Sequence, residues 1–221
     1  MRYLRILMMA ALVLALSLAA GCGEKIYLFD FTTETDLSRE DGTWTAGGMD
    51  YVLSPDGIAL QNAWVAAPHL YNGDFTVSFK FQLLEDISYN RTAAFILASG
   101  TNFLLAEWSG MIVISDDQHD PGDFQLSQIK DGYTTVITPP EPVGDILEYP
   151  GLNTMEIKKR GDLLTFKLND IALGDGILIE GYYLDWLCPQ MTTFYEIGSD
   201  MDNVVFKSVE VRYKGDAVPS T

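Results

Sequence analysis

An all-β fold, a sandwich or barrel of antiparallel strands, is what the sequence predicts, and three observations predict it. Beyond residue 25 no long helical period is sustained. Alternation of apolar and polar residues recurs instead. In "DFTVSFKFQL", Phe75, Val77, Phe79, Phe81 and Leu83 fall on one face, while Thr76, Ser78, Lys80 and Gln82 fall on the other. Side chains of a strand point to opposite faces in turn, so this segment has one buried face and one wet face. Finally, the alternating runs are short and are separated by Gly, Asn and Asp turns, the punctuation of an antiparallel all-β domain.

The chain of 221 residues opens differently. Arg2 and Arg5 precede an apolar run, residues 6–20, interrupted only by Ser17. The run is shorter than the about 20 residues of a bilayer span. A positive start and a greasy centre are the marks of an export signal. Segments of strand character follow at 26–31, 51–53, 58–60 and 63–66, and then at 75–83. "AAFILA", residues 93–98, is apolar on both faces and predicts a central strand. "FLLAEWSGMIVIS" predicts two strands with Ser109-Gly110 as a tight turn. Residues 116–150 hold "DDQHDPGDF", "KDGYTT" and "TPPEPVGD" and predict a long, loop-rich insertion. Such loops tend to carry function, so this one is expected to shape a site.

"NTMEIKKRGDLLTFKLND" predicts a hairpin. Met155 and Ile157 lead in, Arg160-Gly161-Asp162 turn, and Leu164, Phe166 and Leu168 lead out. Lys158, Lys159 and Arg160 are expected at its solvated tip. Further short strands are predicted at 177–179 and 193–197. "VVFKSVEVRY" closes the fold, with Val209, Val211 and Tyr213 alternating against Glu210 and Arg212. The expected partition is a signal at 1–21, a linker at 22–25, one domain at 26–214 and a frayed tail at 215–221.

Charge narrows the partners. The sequence carries 14 basic and 31 acidic residues, a net charge of −17. Cleavage before Cys22 would remove Arg2 and Arg5, leaving 12 basic against 31 acidic groups, or −19. That surface repels nucleic acid and anionic headgroups, and acidic polysaccharides unless a cation bridges them. At 48% hydrophobic residues the chain is no disordered acidic tail. Cys22 and Cys188 are the two cysteines. If Cys22 is lipidated, no disulfide forms within the monomer and the fold rests on its core. Cys188, beside Pro189, reads as a small packed side chain.

Catalytic signatures are absent from the sequence. His69 and His119 are the only histidines, in unlike contexts. There is no His-Glu-x-x-His, no Gly-x-Ser-x-Gly elbow and no glycine-rich phosphate loop after a strand. Two other chemistries have candidates. Sugar binding needs flat apolar faces plus amide and carboxylate partners, and Trp44, Trp64, Trp108, Tyr182, Tyr183, Asp185 and Trp186 supply them. For each aromatic, core packing is the alternative. Calcium takes six to eight oxygens. Asp200, Asp202 and Asn203 cluster before the last strand, with Asp30 able to join them, and Asp116, Asp117, Asp120 and Asp123 form a second group. The alternative is that these acids are simply solvated.

Two resemblances add to this. Leu18-Ala19-Ala20-Gly21-Cys22 resembles the lipobox of bacterial lipoproteins, with Ala19 in place of the usual leucine. The resemblance implies cleavage before Cys22, diacylation of its thiol and acylation of the new amino terminus. It places the protein in the bacterial cell envelope. Gly23 after the cysteine favours the outer membrane. The alternatives are a plain signal peptide with an incidental cysteine, or an uncleaved anchor.

Three phrases resemble the concanavalin A-like lectin/glucanase superfamily, laminin-G-like and 3-keto-disaccharide hydrolase domains among its members. They are "FDFTTETDLSREDGTW" with "DGIALQNAWVAAPHLYNGDFTVSFKFQL", the "LNTMEIKKRGDLLTFKLND" hairpin, and "DNVVFKSVEV". In the hairpin Asn153 fits, Leu152 replaces a tryptophan, and Asp170 replaces the glycine after Asn169. The resemblance implies a two-sheet antiparallel jelly-roll sandwich, and a calcium near the last strand. Glucanases of this fold use Glu-x-Asp-x-(x)-Glu on one strand. Glu34, Asp36 and Glu40 come close, but the last acid is one residue too far and turn capping is the competing role. The expected function is therefore binding of a neutral carbohydrate, or an accessory role in glycan handling, rather than catalysis. A glycoside hydrolase and a non-enzymatic structural or protein-interaction lipoprotein are the rivals. The anchor has a direct check. Mass spectrometry of the protein from its membrane fraction should find Cys22 acylated at the amino terminus, and an intact leader with a free thiol would refute it.

Overall fold

The computed structural model describes residues 23–39, 42–83, 91–117, 120–148, 150–179, 186–194 and 204–220. No helix occurs among them. The strands in chain order are β1 (Lys25–Asp30), β2 (Ser38–Arg39), β3 (Gly42–Thr43), β4 (Thr45–Ser54), β5 (Gly57–Ala66) and β6 (His69–Tyr71). Next come β7 (Phe75–Leu83), β8 (Arg91–Ala98), β9 (Trp108–Asp117), β10 (Asp120–Lys130), β11 (Tyr133–Pro142) and β12 (Gly151–Arg160). The last are β13 (Leu163–Leu168), β14 (Ile171–Leu178), β15 (Cys188–Phe194), β16 (Val204–Tyr213) and β17 (Ala217–Pro219).

The fold is the predicted antiparallel sandwich. One layer runs β11-β10-β9-β8-β15-β5, and the other runs β16-β7-β12-β13-β14. β4 pairs with β5, and β1 with β16. The ladders are continuous because β5 serves both layers. Its first half, at Ile58 and Ala59, pairs with Phe206 and Val205 of β16. Its second half, at Trp64, Val65 and Ala66, pairs with Thr192, Met191 and Gln190 of β15. Between the layers, Phe95 of β8 lies 5.3 Å from Phe79, 4.9 Å from Phe81 and 5.8 Å from Phe206, ring centre to ring centre. All four rings are fully buried. Each such ring contributes about 1.5–3 kcal/mol through burial, and each tilted or edge-on pair adds about 0.5–1.5 kcal/mol.

Alternation works as read in β7, where the odd positions from Phe75 to Leu83 are buried. β8 is buried on both faces from Ala93 to Ala98. The outer face of the second layer is wet. Glu156, Ser78 and Glu210 align across it, next to Lys158, Thr76 and Arg212. Arg212 Nε donates to Glu210 Oε1 at 2.5 Å.

Four expectations are corrected. Ser109-Gly110 is not a turn but lies inside β9. Gly110 is there for space: an added Cβ would come 2.8 Å from the Trp108 ring and 3.0 Å from Leu164 across the sandwich. Residues 116–150 are not loop-rich, since β10 and β11 form a long hairpin there. Its turn is Asp131-Gly132, both left-handed at φ 50° and 78°, the two-residue turn that suits strand twist. The 215–221 tail is not frayed, because β17 pairs with β6 through Ala217, Val218 and Pro219. Lys158-Lys159-Arg160 is a solvated tip only in part, with Arg160 exposed but Lys159 buried. Lys159 falls on the buried face of β12, and its Nζ donates to the Gly73 carbonyl at 3.1 Å. Arg160 Nη1 donates to the carbonyls of Lys159 and Phe75.

Asn153 and Asn169, which carried the hairpin resemblance, form an amide clasp. Asn153 Oδ1 accepts from Glu148 N and from Asn169 Nδ2, both at 2.8 Å. Asn153 Nδ2 donates to the Glu148 and Gly151 carbonyls. Asn169 Nδ2 also reaches the Ile146 carbonyl, and its Oδ1 accepts from Thr154 N at 2.8 Å. The clasp ties the segment before β12 to the β13–β14 turn. That turn is Asn169-Asp170, with φ 48° and 68°. Asp170 therefore holds the left-handed conformation a glycine would adopt more easily, a position aspartate tolerates.

Cys188 is fully buried, and its Sγ donates to the Ala67 carbonyl at 3.3 Å. Burial pushes its thiol far above the ordinary range, so the folded chain keeps the proton in alkali. The unfolded thiol ionises near about 8.5. A pKa raised by folding gives stability that is complete below that value and lost as pH rises. Between pH 7.5 and 10, urea unfolding should show the wild type losing about 2 kcal/mol more than Cys188→Ala. Equal losses would place the thiol in water.

Candidate functional site

The outer face of the β8-bearing layer differs from its wet counterpart. One row of neighbours across it is Gly47, Trp64, Thr192, Ala94, Val113 and Gln125. The next is Ala66, Gln190, Ile96, Met111 and Ser127. Ala94, Ile96, Ala98, Met111 and Ile129 form a second apolar cluster here, separate from the core between the layers. Thr192 Oγ1 donates to the Ala63 carbonyl at 2.7 Å, so even its hydroxyl is occupied. A sheet face this apolar needs a cover or a ligand.

Part of the cover is residues 99–107, which join β8 to β9. Phe103 is buried and packs into the apolar cluster with Ala106. Gln190, fully buried on β15, holds the segment from beneath. Its Oε1 accepts from Phe103 N at 3.2 Å, and its Nε2 donates to the Gly100 carbonyl. Asn102 holds it from within. Its carbonyl accepts from Leu105 N and Ala106 N, and its Oδ1 accepts from Leu104 N at 3.1 Å. Ser99 closes the base, with its Oγ accepting from Trp108 N at 3.2 Å.

Against this segment lies a cleft of about 570 Å³ lined by Ser99, Gly100, Thr101, Asn102, Leu105, Ala106, Glu107 and Trp186. Trp186 is half-buried and lines the cleft. The lining thus combines hydroxyls, an amide, one carboxylate and an aromatic face. Among the described lining residues Glu107 is the single carboxylate. The common glycosidase arrangement is a pair of carboxylates about 5–10 Å apart.

The other predicted residues separate. Trp44 and Trp108 are corrected: both are core residues, buried to within 2% of fully. Trp44 sits 5.2 Å from Phe29 and from Phe31, ring centre to ring centre. Trp64 is half-buried on the outer face, its indole over Gly47, where a Cβ would come 2.6 Å from Cζ2. It is not among the cleft residues. Tyr182, Tyr183 and Asp185 lie outside the described residues, as do Cys22, Asp200, Asp202 and Asn203. Asp30 ends β1, and its Oδ1 accepts from Thr32 N and Thr32 Oγ1 at 3.0 and 2.6 Å. That leaves one oxygen for any cation. Of the second acidic group, Asp123 is half-buried in β10 and is separated from Asp120 by a bulge. No three His, Cys, Asp or Glu side chains converge among the described residues.

The near-glucanase acids are also accounted for in part. Asp36 Oδ1 accepts from Ser38 Oγ at 2.6 Å and Ser38 N at 2.8 Å. The Ser38 hydroxyl, then its N–H, hold this carboxyl below its usual range. It caps the turn at Ser38, and these bonds favour its carboxylate form. Glu40 lies outside the described residues. The residues that build the cleft, Ser99, Thr101, Asn102 and Glu107, went unread in sequence. Their signal was the "SGTN" turn cluster, masked by taking Ser109-Gly110 as the turn.

No family model matches the chain, and no curated protein matches it. Solved structures do. The CBM2 module of the evolved Dit of Lactobacillus casei BL23 phage J-1 is 12% identical, with a TM-score of 0.60, 87% of this chain and 98% of that one covered. The endo-β-1,3-glucanase of Pyrococcus furiosus is 10% identical, with a TM-score of 0.58 over 87% and 94% of the two chains. The carbohydrate recognition domain of Emp47p is 12% identical, with a TM-score of 0.54 over 86% and 95%. These likenesses show the concanavalin A-like lectin/glucanase fold.

The 99–107 segment offers a test. Gln190→Leu would leave the Phe103 N–H and the Gly100 carbonyl without their partner, at about 1–3 kcal/mol. Urea unfolding should register that loss, and amide exchange at Phe103 should accelerate more than in the core strands.

Proposed function

We propose that this chain is a lipid-anchored carbohydrate-binding module that takes a neutral glycan in the cleft at residues 99–107. The observation that carries the reading is the cleft itself, where half-buried Trp186 shares a wall with Ser99, Thr101, Asn102 and Glu107. An indole offers an apolar face to the C–H surface of a sugar ring. Hydroxyl, amide and carboxylate groups suit its hydroxyls. The support beneath is built in advance: Gln190, Asn102 and Phe103 fix the segment before any ligand arrives, which lowers the ordering cost of binding. The net charge of −19 left after cleavage, with Glu107 in the lining, favours a neutral glycan over an acidic one. The similar solved structures include a CBM2 module and a carbohydrate recognition domain, which is consistent with this reading.

The lipobox-like end of the leader supports the second half of the proposal. Acylation at Cys22 would hold the domain at the bacterial envelope, since several acyl chains anchor stably where one does not. Calcium, taken by Asp200, Asp202 and Asn203, belongs to the proposal as a structural ion and not as part of the cleft.

A printed array of neutral glycans should capture residues 23–221, and Trp186→Ala should weaken capture at least about tenfold, the size of a central contact. Running the array with calcium and with chelator separates the ion from the sugar. No capture of any neutral glycan in either arm would refute the reading.

A further inference from the structure

The cleft has one feature that a free sugar leaves unused. Leu104 and Leu105, consecutive in the 99–107 segment, are 56% and 83% exposed. Leu105 lines the cleft itself. Single exposed apolar side chains are ordinary. Here one of the two lines a site rich in polar groups and the other is its immediate neighbour in the chain. They do not sit there through looseness. Leu104 N is bonded to Asn102 Oδ1 and Leu105 N to the Asn102 carbonyl, while Phe103 anchors the pair from below. The segment thus holds two isobutyl groups out to water, one of them lining a cleft that also carries Ser99, Thr101, Asn102 and Glu107.

Resting on the carbohydrate reading above, we propose that the ligand is the headgroup of a neutral glycolipid. The sugar occupies the cleft against Trp186, and the first methylenes of the lipid chain lie on Leu104 and Leu105. The charge agrees: once Arg2 and Arg5 are removed the chain carries −19, which anionic headgroups repel and neutral ones do not. The anchor agrees as well. Gly23 and Glu24 alone separate Cys22 from β1. A chain lipidated at Cys22 starts its first strand within roughly 10 Å of the headgroup layer. The domain is then held close to the layer in which such a ligand is displayed.

The test uses residues 23–221, which contain every described strand. Each neutral glycan that binds on the array is titrated as the free oligosaccharide, as its dodecyl glycoside below the micelle concentration, and in phosphatidylcholine vesicles carrying the corresponding glycolipid. Dodecylphosphocholine and plain vesicles are the controls. The dodecyl glycoside should bind at least about tenfold tighter than the free glycan, the gain from burying roughly two methylenes. Vesicles with glycolipid should retain the protein and plain vesicles should not. L104S with L105S should bring the ratio of dodecyl-glycoside to free-glycan affinity down to about one, whatever the free-glycan affinity of the variant, and exposed positions such as these tolerate serine without unfolding. Equal affinity for the free and dodecyl forms would overturn the glycolipid inference and leave the carbohydrate reading standing. So would a gain that survives the double substitution, or equal binding of dodecylphosphocholine. Binding of no glycan in any form would overturn both.

Discussion

The structure depends on one dry contact, Phe95 of β8 seated against Phe79, Phe81 and Phe206 of the facing layer. Cys188 is the only cysteine among the described residues, and it is a buried thiol. Stability must therefore come from apolar surface taken out of water. That requirement explains the alternation of β7 and the double burial of β8. It also explains why β5 passes from one layer to the other: a strand paired with β16 at one end and β15 at the other holds the two faces in register around the rings.

With the layers fixed, the two outer faces take opposite characters. One carries alternating acids and bases and needs nothing on it. The other carries Ala94, Ile96, Met111 and Val113, and is partly closed by Phe103. A segment pinned on such a face by Gln190 becomes a rigid wall, and the cleft beside Trp186 follows from it. The candidate site is thus a product of incomplete coverage: where apolar sheet ends and polar segment begins, space is left for a ligand with both kinds of surface.

Much of this was legible in the sequence, for physical reasons. A strand buried on one face advertises itself by period two, so the strands around Phe79, Ile157 and Val211 were evident. Turns were less so, because Ser-Gly serves equally as a bend and as a gap. At Gly110 the gap accommodates Trp108 and Leu164, and the bend belongs to residues 99–107. The β10–β11 hairpin was hidden for the opposite reason. Its Asp, Gly and Pro residues signal loops, yet backbone pairing alone holds β11, whose side chains are mostly exposed. Aromatic candidates could not be sorted by type. Trp44, Trp64, Trp108 and Trp186 are the same residue in four surroundings, and only the packing around each says which of them meets water.

The position of β16 carries a consequence for how the molecule comes into being. This strand lies near the carboxyl end, yet it pairs with β7 and β5 and supports β1. A nascent polypeptide emerging amino end first can pair β7, β12, β13 and β14, but cannot join them to β5 until residues 204–213 are free. Pairings of such long sequence separation are slow to form. Seating of β16 between β5 and β7 completes the ladder that runs through both layers, and the rings around Phe95 gain Phe206 at that step.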